Sequence, residues 1–376
     1  MLEKNILFIL YFLINLLFII KYGSRVTNIP ILFIVIISYF FIVYITLKIC
    51  QRIKNVHSLC LLFLVCIFLF LWILGQYSID PMSIKVDRWS AIHNFINYFL
   101  DGKYPYLAQT HLGGYGSPFP IWQIFHIPFY LLGNVGLSIF AIFSYFIYVQ
   151  KRILGNQYAL IVLFLFVLSP AFLYEILVRS DLVTNFLLLS SFLQIVLYKG
   201  KNLQNSFYSI AILCGLFLST RLSIAIACII FFFPSYLQLS IKRKILFPLL
   251  VIIIFSFTFL PFIIWNMDEL FFFKYNPFIL QTRQGSILDV LFICLIICYI
   301  VIRLKGDYLR TFCNIAYTYI LFIAFVAIHL MISVQSYDIF LISLFDITYF
   351  DMSLPFLICS LGIYLVKRRI NSNNIK

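Results

Sequence analysis

An all-α, polytopic membrane fold is predicted, with about twelve transmembrane helices and an amphipathic helix on the outer face. Three observations predict it. First, the 376 residues are 64% hydrophobic and only 11% charged, with a mean hydropathy of +1.06. A water-soluble domain has too little interior to hide that much apolar surface, so most of the chain needs lipid as solvent. Second, apolar runs near the length of a bilayer crossing recur along the whole chain. Third, the charges sort by loop. With the N-terminus in the cytoplasm, eighteen of the 27 Lys and Arg fall in short inner segments, while eleven of the 13 Asp and Glu lie outside or at the outer surface. The formal charge of +14 therefore reads as cytoplasmic loop charge and not as a nucleic-acid footprint, and no nucleic-acid partner is expected.

The predicted spans are 5–20, 31–49, 58–76, 136–150, 157–174, 182–198, 206–220, 222–239, 245–264, 287–302, 312–332 and 349–366. The first run has a charged start but no small-residue cleavage site, so it is expected to be a retained span. This puts both termini in the cytoplasm. The nine cysteines lie in or beside apolar runs and read as small buried hydrophobes, not as a disulfide or metal framework. The chain reads as one integral membrane domain, with an N-terminal hairpin (1–56), a central core (57–240) and C-terminal helices (241–376). Three outer segments are long: 77–135, 265–286 and 333–348.

The longest of these opens with VDRWSAIHNFINYFLDGKYPY, residues 86–106, the most polar long stretch of the chain. Trp89, Ile92, Phe95, Ile96, Phe99 and Leu100 recur at spacings of three and four, which gives one apolar helical face. Arg88, His93, Asn94 and Asp101 fall off that face. The spacing predicts an interfacial helix with its polar side turned outward, stopped at Gly102. Pro105 then disfavours helix at Tyr104. Pro118, Pro120 and Pro128 break the tail of the loop into a membrane-dipping segment packed on protein.

Asp87 opens this helix at the membrane surface, where a carboxylate is costly unless hydrated, paired or used. An Asp, a nearby aromatic, a helix of this length, then Gly and Tyr104-Pro105-Tyr106 resemble the first outer loop of the GT-C glycosyltransferases, above all the bacterial polyprenyl-phosphate-dependent, mannosyltransferase-like branch. The resemblance spans residues 58–240. It implies transfer of a sugar from a polyprenyl-phosphate donor to a lipid or glycan acceptor, with Asp87 as catalytic base and Asp80 as the fallback. It also implies a second acidic site two spans later, in YEILVRSDLV, where Asp181 matches. The same residues allow a plainer arrangement, a Glu175–Arg179 ion pair at i,i+4 with Asp181 capping the next helix.

Departure of a lipid phosphate needs cations at the outer face. Arg179, Arg221, Lys274 and Arg283 all lie outside against the positive-inside bias. With Arg88, His93, Tyr104 and Tyr106 they form the expected substrate-binding set. Snorkelling to lipid headgroups explains a lone Arg221 as well. No metal ligand set is predicted. The absence of a DxD motif argues against metal dependence, although a divalent ion is allowed, and no nucleotide-binding signature stands in a supporting context. The departure from the family is the hairpin at 5–20 and 31–49, which precedes the span expected to come first. The expected setting is a bacterial plasma membrane and a cell-envelope glycan or glycolipid, with an endoplasmic reticulum mannosyltransferase as the alternative locale. An O-antigen-type polymerase or ligase would have its large outer loop late in the chain. A lipid or polysaccharide transporter would place ionisable residues inside its spans.

Overall fold

The computed structural model describes residues 2–53, 55–283, 285–303, 307–341 and 344–366. Lys54, Lys305, Lys367, Arg368, Arg369 and Lys376, counted above for orientation, lie outside the described residues. Among the described residues the fold is helical throughout, and the one β-pairing is an isolated bridge between Gln109 and Tyr115.

The N-terminal hairpin is α1 (Leu2–Gly23) and α2 (Ile29–Arg52). The Asn28 carboxamide starts α2 by accepting from Ile31 N at 3.2 Å, and Pro30 occupies its first turn. Then come α3 (Ser58–Tyr77) and the outer-loop helix α4 (Arg88–Leu100). The broken segment is two short helices, α5 (Pro120–Phe125) and α6 (Ile127–Leu131), each with proline in its first turn, as the proline spacing predicts. The core continues with α7 (Ser138–Leu154), α8 (Asn156–Val167), α9 (Pro170–Leu177) and α10 (Leu182–Tyr198). Next are α11 (Phe207–Leu218), α12 (Ile224–Leu237), α13 (Ile241–Phe271) and α14 (Pro277–Thr282), and the chain closes with α15 (Ile287–Arg303), α16 (Tyr308–Val334) and α17 (Leu354–Leu365).

Six helices are long and apolar enough to cross a membrane, or seven if α8 and α9, bent by 69°, form one span. The bend has a local cause. Pro170 cannot continue the α8 ladder, Ser169 Oγ caps Phe172 N at 3.3 Å, and Asn15 of α1 accepts from Ser169 Oγ at 2.6 Å. Each of the other five predicted spans also contains a helix, but α10, α11, α12, α15 and α17, of 12 to 17 residues, are too short to meet the same test. At about 1.5 Å per residue, α11, α12 and α17 extend roughly 18–21 Å, against a hydrocarbon thickness near 30 Å.

The centre of the fold is α17, apolar all round and buried along most of its length, packed among α1, α8, α10 and α16. α2, α13 and α15 lie at the periphery and turn most of their apolar surface outward, as lipid-facing helices do. The 265–286 segment is more helical than expected of an outer loop. α13 runs to Phe271, interrupted at Asn266, whose backbone is extended at φ −160° and ψ 98°.

Candidate functional site: a buried arginine–carboxylate cluster

The site is assembled from turns at the helix ends. α4 docks its predicted apolar side, with Trp89, Ile92, Phe95 and Ile96 buried, while Phe99 and Leu100 at its far end stay exposed. Phe95 packs on Tyr106 (4.9 Å between ring centroids) and Phe262 (5.9 Å), which ties α4 to α13. This docking fixes where the first residue of α4 points.

Arg88 does not join the solvent-facing side. Its guanidinium turns inward and binds four groups. Nη1 donates to Glu175 Oε1 at 3.3 Å and Ser180 Oγ at 2.9 Å; Nη2 donates to Asp346 Oδ2 at 2.6 Å and to the Thr348 hydroxyl. The reason is electrostatic: a buried Glu175 carboxylate has no water to solvate it, and Arg88 is the cation within reach. Burial works against the Arg88 charge, but Asp346 and Glu175 outweigh it and hold its pKa above the ordinary value. Asp346 is held the other way: burial opposes ionisation, while Arg88 and Thr348 keep its carboxylate pKa low.

The Glu175–Arg179 helix pair expected from spacing is not formed. α9 ends at Leu177, and Arg179 takes a left-handed backbone, φ 55°, that carries its side chain away. Arg179 Nη2 instead donates to the Gln76 and Ile79 carbonyls, at 3.1 and 3.2 Å, closing the end of α3. Glu175 Oε2 takes over the capping role expected of Asp181 by accepting from Val183 N, in the first turn of α10, at 3.1 Å.

Asp181 makes a second buried pair. Its Oδ2 accepts from Arg221 Nη2 at 2.5 Å and from Trp122 Nε1 at 2.7 Å. The two side chains are only 3% and 9% exposed. Burial raises the cost of the Asp181 charge, but Arg221 and then Arg88 overcome it and hold the carboxyl below its ordinary range. Arg221 is thus no headgroup-snorkelling residue. It sits at a buried hairpin tip stitched to its surroundings: Phe119 N donates to Thr220 O at 3.2 Å, Leu222 N to Gln281 Oε1 at 3.3 Å, and Gln281 Nε2 to Ser117 O at 2.8 Å. Arg221 Nε, Asn185 Nδ2 and Asp181 Oδ1 are buried there without a partner.

Asp87, next to Arg88 in sequence, faces elsewhere. It is half-buried, and its Oδ2 accepts from Thr110 Oγ1 at 3.1 Å in the glycine-rich turn. The 110–115 turn closes on itself through Thr110 N to Gly114 O at 2.8 Å, with Gly113 at φ +79°. No ion pair links Asp87 to a described cation, and no hydrogen bond links it to Asp181.

The remaining expected residues fall in three places. His93 is half-buried, 4.8 Å from the Tyr130 ring, and burial lowers its pKa. Tyr104 and Tyr106 are packing residues: Tyr104 donates weakly to Phe262 O at 3.5 Å and stands edge-on to Trp265, and the Tyr106 hydroxyl is buried without a partner. Lys274 and Arg283 are exposed, with Lys274 over the Tyr275 ring at 5.3 Å and Arg283 in the field of Tyr349, which Arg88 and Arg221 also reach. Among the described residues no group of three His, Cys, Asp or Glu could hold a metal ion.

Sequence reasoning missed Asp346, Thr348, Asp351 and Trp122. The usable signal was the predicted sorting of acids into long loops: Asp346 and Asp351 lie in or beside the 333–348 segment, and only distance in the chain separated them from Arg88. No protein-family model, curated protein or solved structure matches this chain.

Proposed function

We propose that the chain is a GT-C-type glycosyltransferase that moves a sugar from a polyprenyl-phosphate donor to a cell-envelope glycan or glycolipid acceptor. The observation that supports this is the contrast between Asp87 and its neighbours. Glu175, Asp181 and Asp346 are each bound to an arginine, whereas Asp87, next to Arg88 in sequence, is half-buried and its side chain holds only a neutral hydroxyl bond. A general base has to be a carboxylate that is not already neutralised by a cation and is reachable by substrate. Asp87 meets both conditions.

In this reading the acceptor hydroxyl oxygen attacks the anomeric carbon and its proton passes to Asp87. The bond from anomeric carbon to phosphate oxygen breaks, and the polyprenyl phosphate leaves with the electron pair. Arg221 and Arg283 are the cations for the leaving phosphate, with Lys274 at the rim. Asp181 orients Arg221 and does not itself take the proton; Arg88 is fully engaged in holding α4. The membrane is a bacterial plasma membrane, with the 77–135 segment on its outer face and both termini in the cytoplasm.

The test is transfer by purified protein in detergent from a panel of polyprenyl-phosphate sugars, comparing wild type with Asp87→Asn and Asp87→Glu. Transfer by wild type that falls by two or more orders of magnitude in Asp87→Asn, with unfolding unchanged, is the expected result. Equal transfer in both removes Asp87 as base. No transfer from any donor removes the glycosyltransferase reading.

A further inference from the structure

Asp351 is the most anomalous polar residue among those described. It lies in the 3₁₀ turn Ile347–Met352 that leads into α17, it is fully buried, and neither carboxyl oxygen has a hydrogen-bond partner. A buried carboxylate with no donor on either oxygen is among the costliest groups a fold can hold, and the low-cost alternative is to keep the proton.

The surrounding charges point the same way. The turn packs against α1, α9, α10, α16 and α17. α9 presents Glu175, α4 Arg88, and the segment just before the turn presents Asp346. Asp181 stands at the start of α10 and Tyr349 in the turn itself. α1 contributes Lys21, 5% exposed, whose Nζ donates to Phe345 O at 3.3 Å beside Asp346. α16 has no charged residue between Arg310 and His329, and α17 has none at all. Among the described residues the cluster holds three cations, Lys21, Arg88 and Arg221, and four carboxyl groups, Glu175, Asp181 and Asp351, which are buried, and Asp346, which is 37% exposed. Three of the carboxyls are bonded to arginine. Neutrality is reached if the fourth, the one without a donor, carries a proton.

We propose that Asp351 is a neutral carboxylic acid at neutral pH, and that its proton is what lets Arg88 hold Glu175 and Asp346 together, making Asp351 a positioning residue for Asp87. Ionisation would place a third negative charge against Arg88 and set it against Glu175 and Asp346. Arg88 is the first residue of α4 and adjoins Asp87, so a change in its partners moves Asp87. Burial raises both neighbouring acids, Glu175 to about 7 in spite of Arg88 and Asp351 well up with the Glu175 charge added to its own burial; Glu175 keeps donors from Arg88 and Val183 N while Asp351 has none, which gives the proton to Asp351. With the folded value raised, the stability contributed is fully present below the unfolded value and is lost as pH rises toward the folded one. The positional part of the inference rests on Asp87 being the base; the protonation part does not.

The experiment is infrared spectroscopy of the purified protein in detergent, in H₂O and D₂O, across a pH titration, with wild type, Asp351→Asn and Glu175→Gln. The expected wild-type spectrum at neutral pH contains the carbonyl stretch of a protonated carboxylic acid free of hydrogen bonds, and Asp351→Asn lacks it. Glu175→Gln removes one negative neighbour, so the band should titrate at least about one pH unit lower. A band that survives in Asp351→Asn, is missing from wild type, or does not move in Glu175→Gln overturns the inference. If Asp351→Asn does not fold, the wild-type band and its shift in Glu175→Gln still decide the matter. For the positional role, the pH profile of sugar transfer in Asp351→Asn should lose its alkaline fall. An unchanged alkaline limb refutes that role. Absence of transfer in wild type refutes the glycosyltransferase reading and with it the positional role, while the infrared result still decides protonation.

Discussion

Replacing Arg221 with methionine keeps much of the stem volume and removes the cation bonded to Asp181. Asp181 is 3% exposed and would keep only its bond from Trp122 Nε1. A stranded carboxylate can stay charged in a dry site, at a cost of several kcal/mol, or it can take a proton. Protonation from an ordinary value near 3.9 costs about 1.36 kcal/mol per pH unit, hence about 4 kcal/mol at pH 7. The proton sets the ceiling, so Arg221→Met is expected to lose about 3–4 kcal/mol at pH 7. At pH 5 the same ceiling is about 1.5 kcal/mol. In wild type the folded Asp181 pKa is depressed, so its contribution is present above the unfolded value and is lost only as pH falls through the folded one. In the variant the folded value lies above the unfolded one, and the deficit grows as pH rises. Equilibrium unfolding of detergent-solubilised protein at pH 5, 6 and 7 measures both quantities. Adding Asp181→Asn to Arg221→Met should recover about 2–3 kcal/mol at pH 7, because no charge is then stranded. A loss under about 1 kcal/mol at pH 7, or an equal loss at pH 5 and 7, would refute the buried-pair reasoning.

Three further outcomes are expected. Tyr106→Phe deletes a buried hydroxyl that has no partner; stability should be unchanged or up to about 1 kcal/mol higher, and a loss of sugar transfer would show that Tyr106 touches substrate after all. Gly114→Ala puts a methyl 2.8 Å from Asp87 Oδ2 and 3.4 Å from Thr110 Oγ1. It should cut transfer on the order of tenfold or more with little change in unfolding, and undiminished transfer would contradict the role given to the Asp87–Thr110 contact. Gly215→Ala in α11 brings a methyl within 2.7 Å of Ile254 Cβ and 2.9 Å of the Val251 carbonyl. The α11–α13 contact should lose about 1–3 kcal/mol, seen in thermal unfolding, and a neutral result would mean that α11 and α13 do not pack this closely.

The outer-loop helix shows how far pattern reading reaches. Its existence, its apolar side from Trp89 to Ile96 and its stop before Gly102 follow from spacing and from a glycine able to take φ +70°. The direction of Arg88 does not. The residue lies on the polar side by periodicity, yet it binds Glu175, 87 residues away, and Asp346, 258 residues away. Likewise Glu175 and Arg179 have the spacing of a helix pair, but the helix stops at Leu177 and the pair is lost.

By itself the sequence determined the solvent of this protein and the location of its apolar segments, because transfer free energies act residue by residue. It also determined the short prolyl helices α5 and α6, where the cause is local backbone geometry, whereas the break at Pro170 falls inside a span, 157–174, that the sequence reading kept whole. Tertiary structure alone decided which carboxylate meets which arginine. Those pairings depend on packing that brings Arg88, Glu175, Asp181, Arg221 and Asp346 together from four separate parts of the chain. It also decided which acids were left over: Asp87 with only a hydroxyl donor, and Asp351 buried without a donor. In a dry interior the scarce resource is a cation within hydrogen-bond reach, and that is a property of three-dimensional distance, which no one-dimensional spacing encodes.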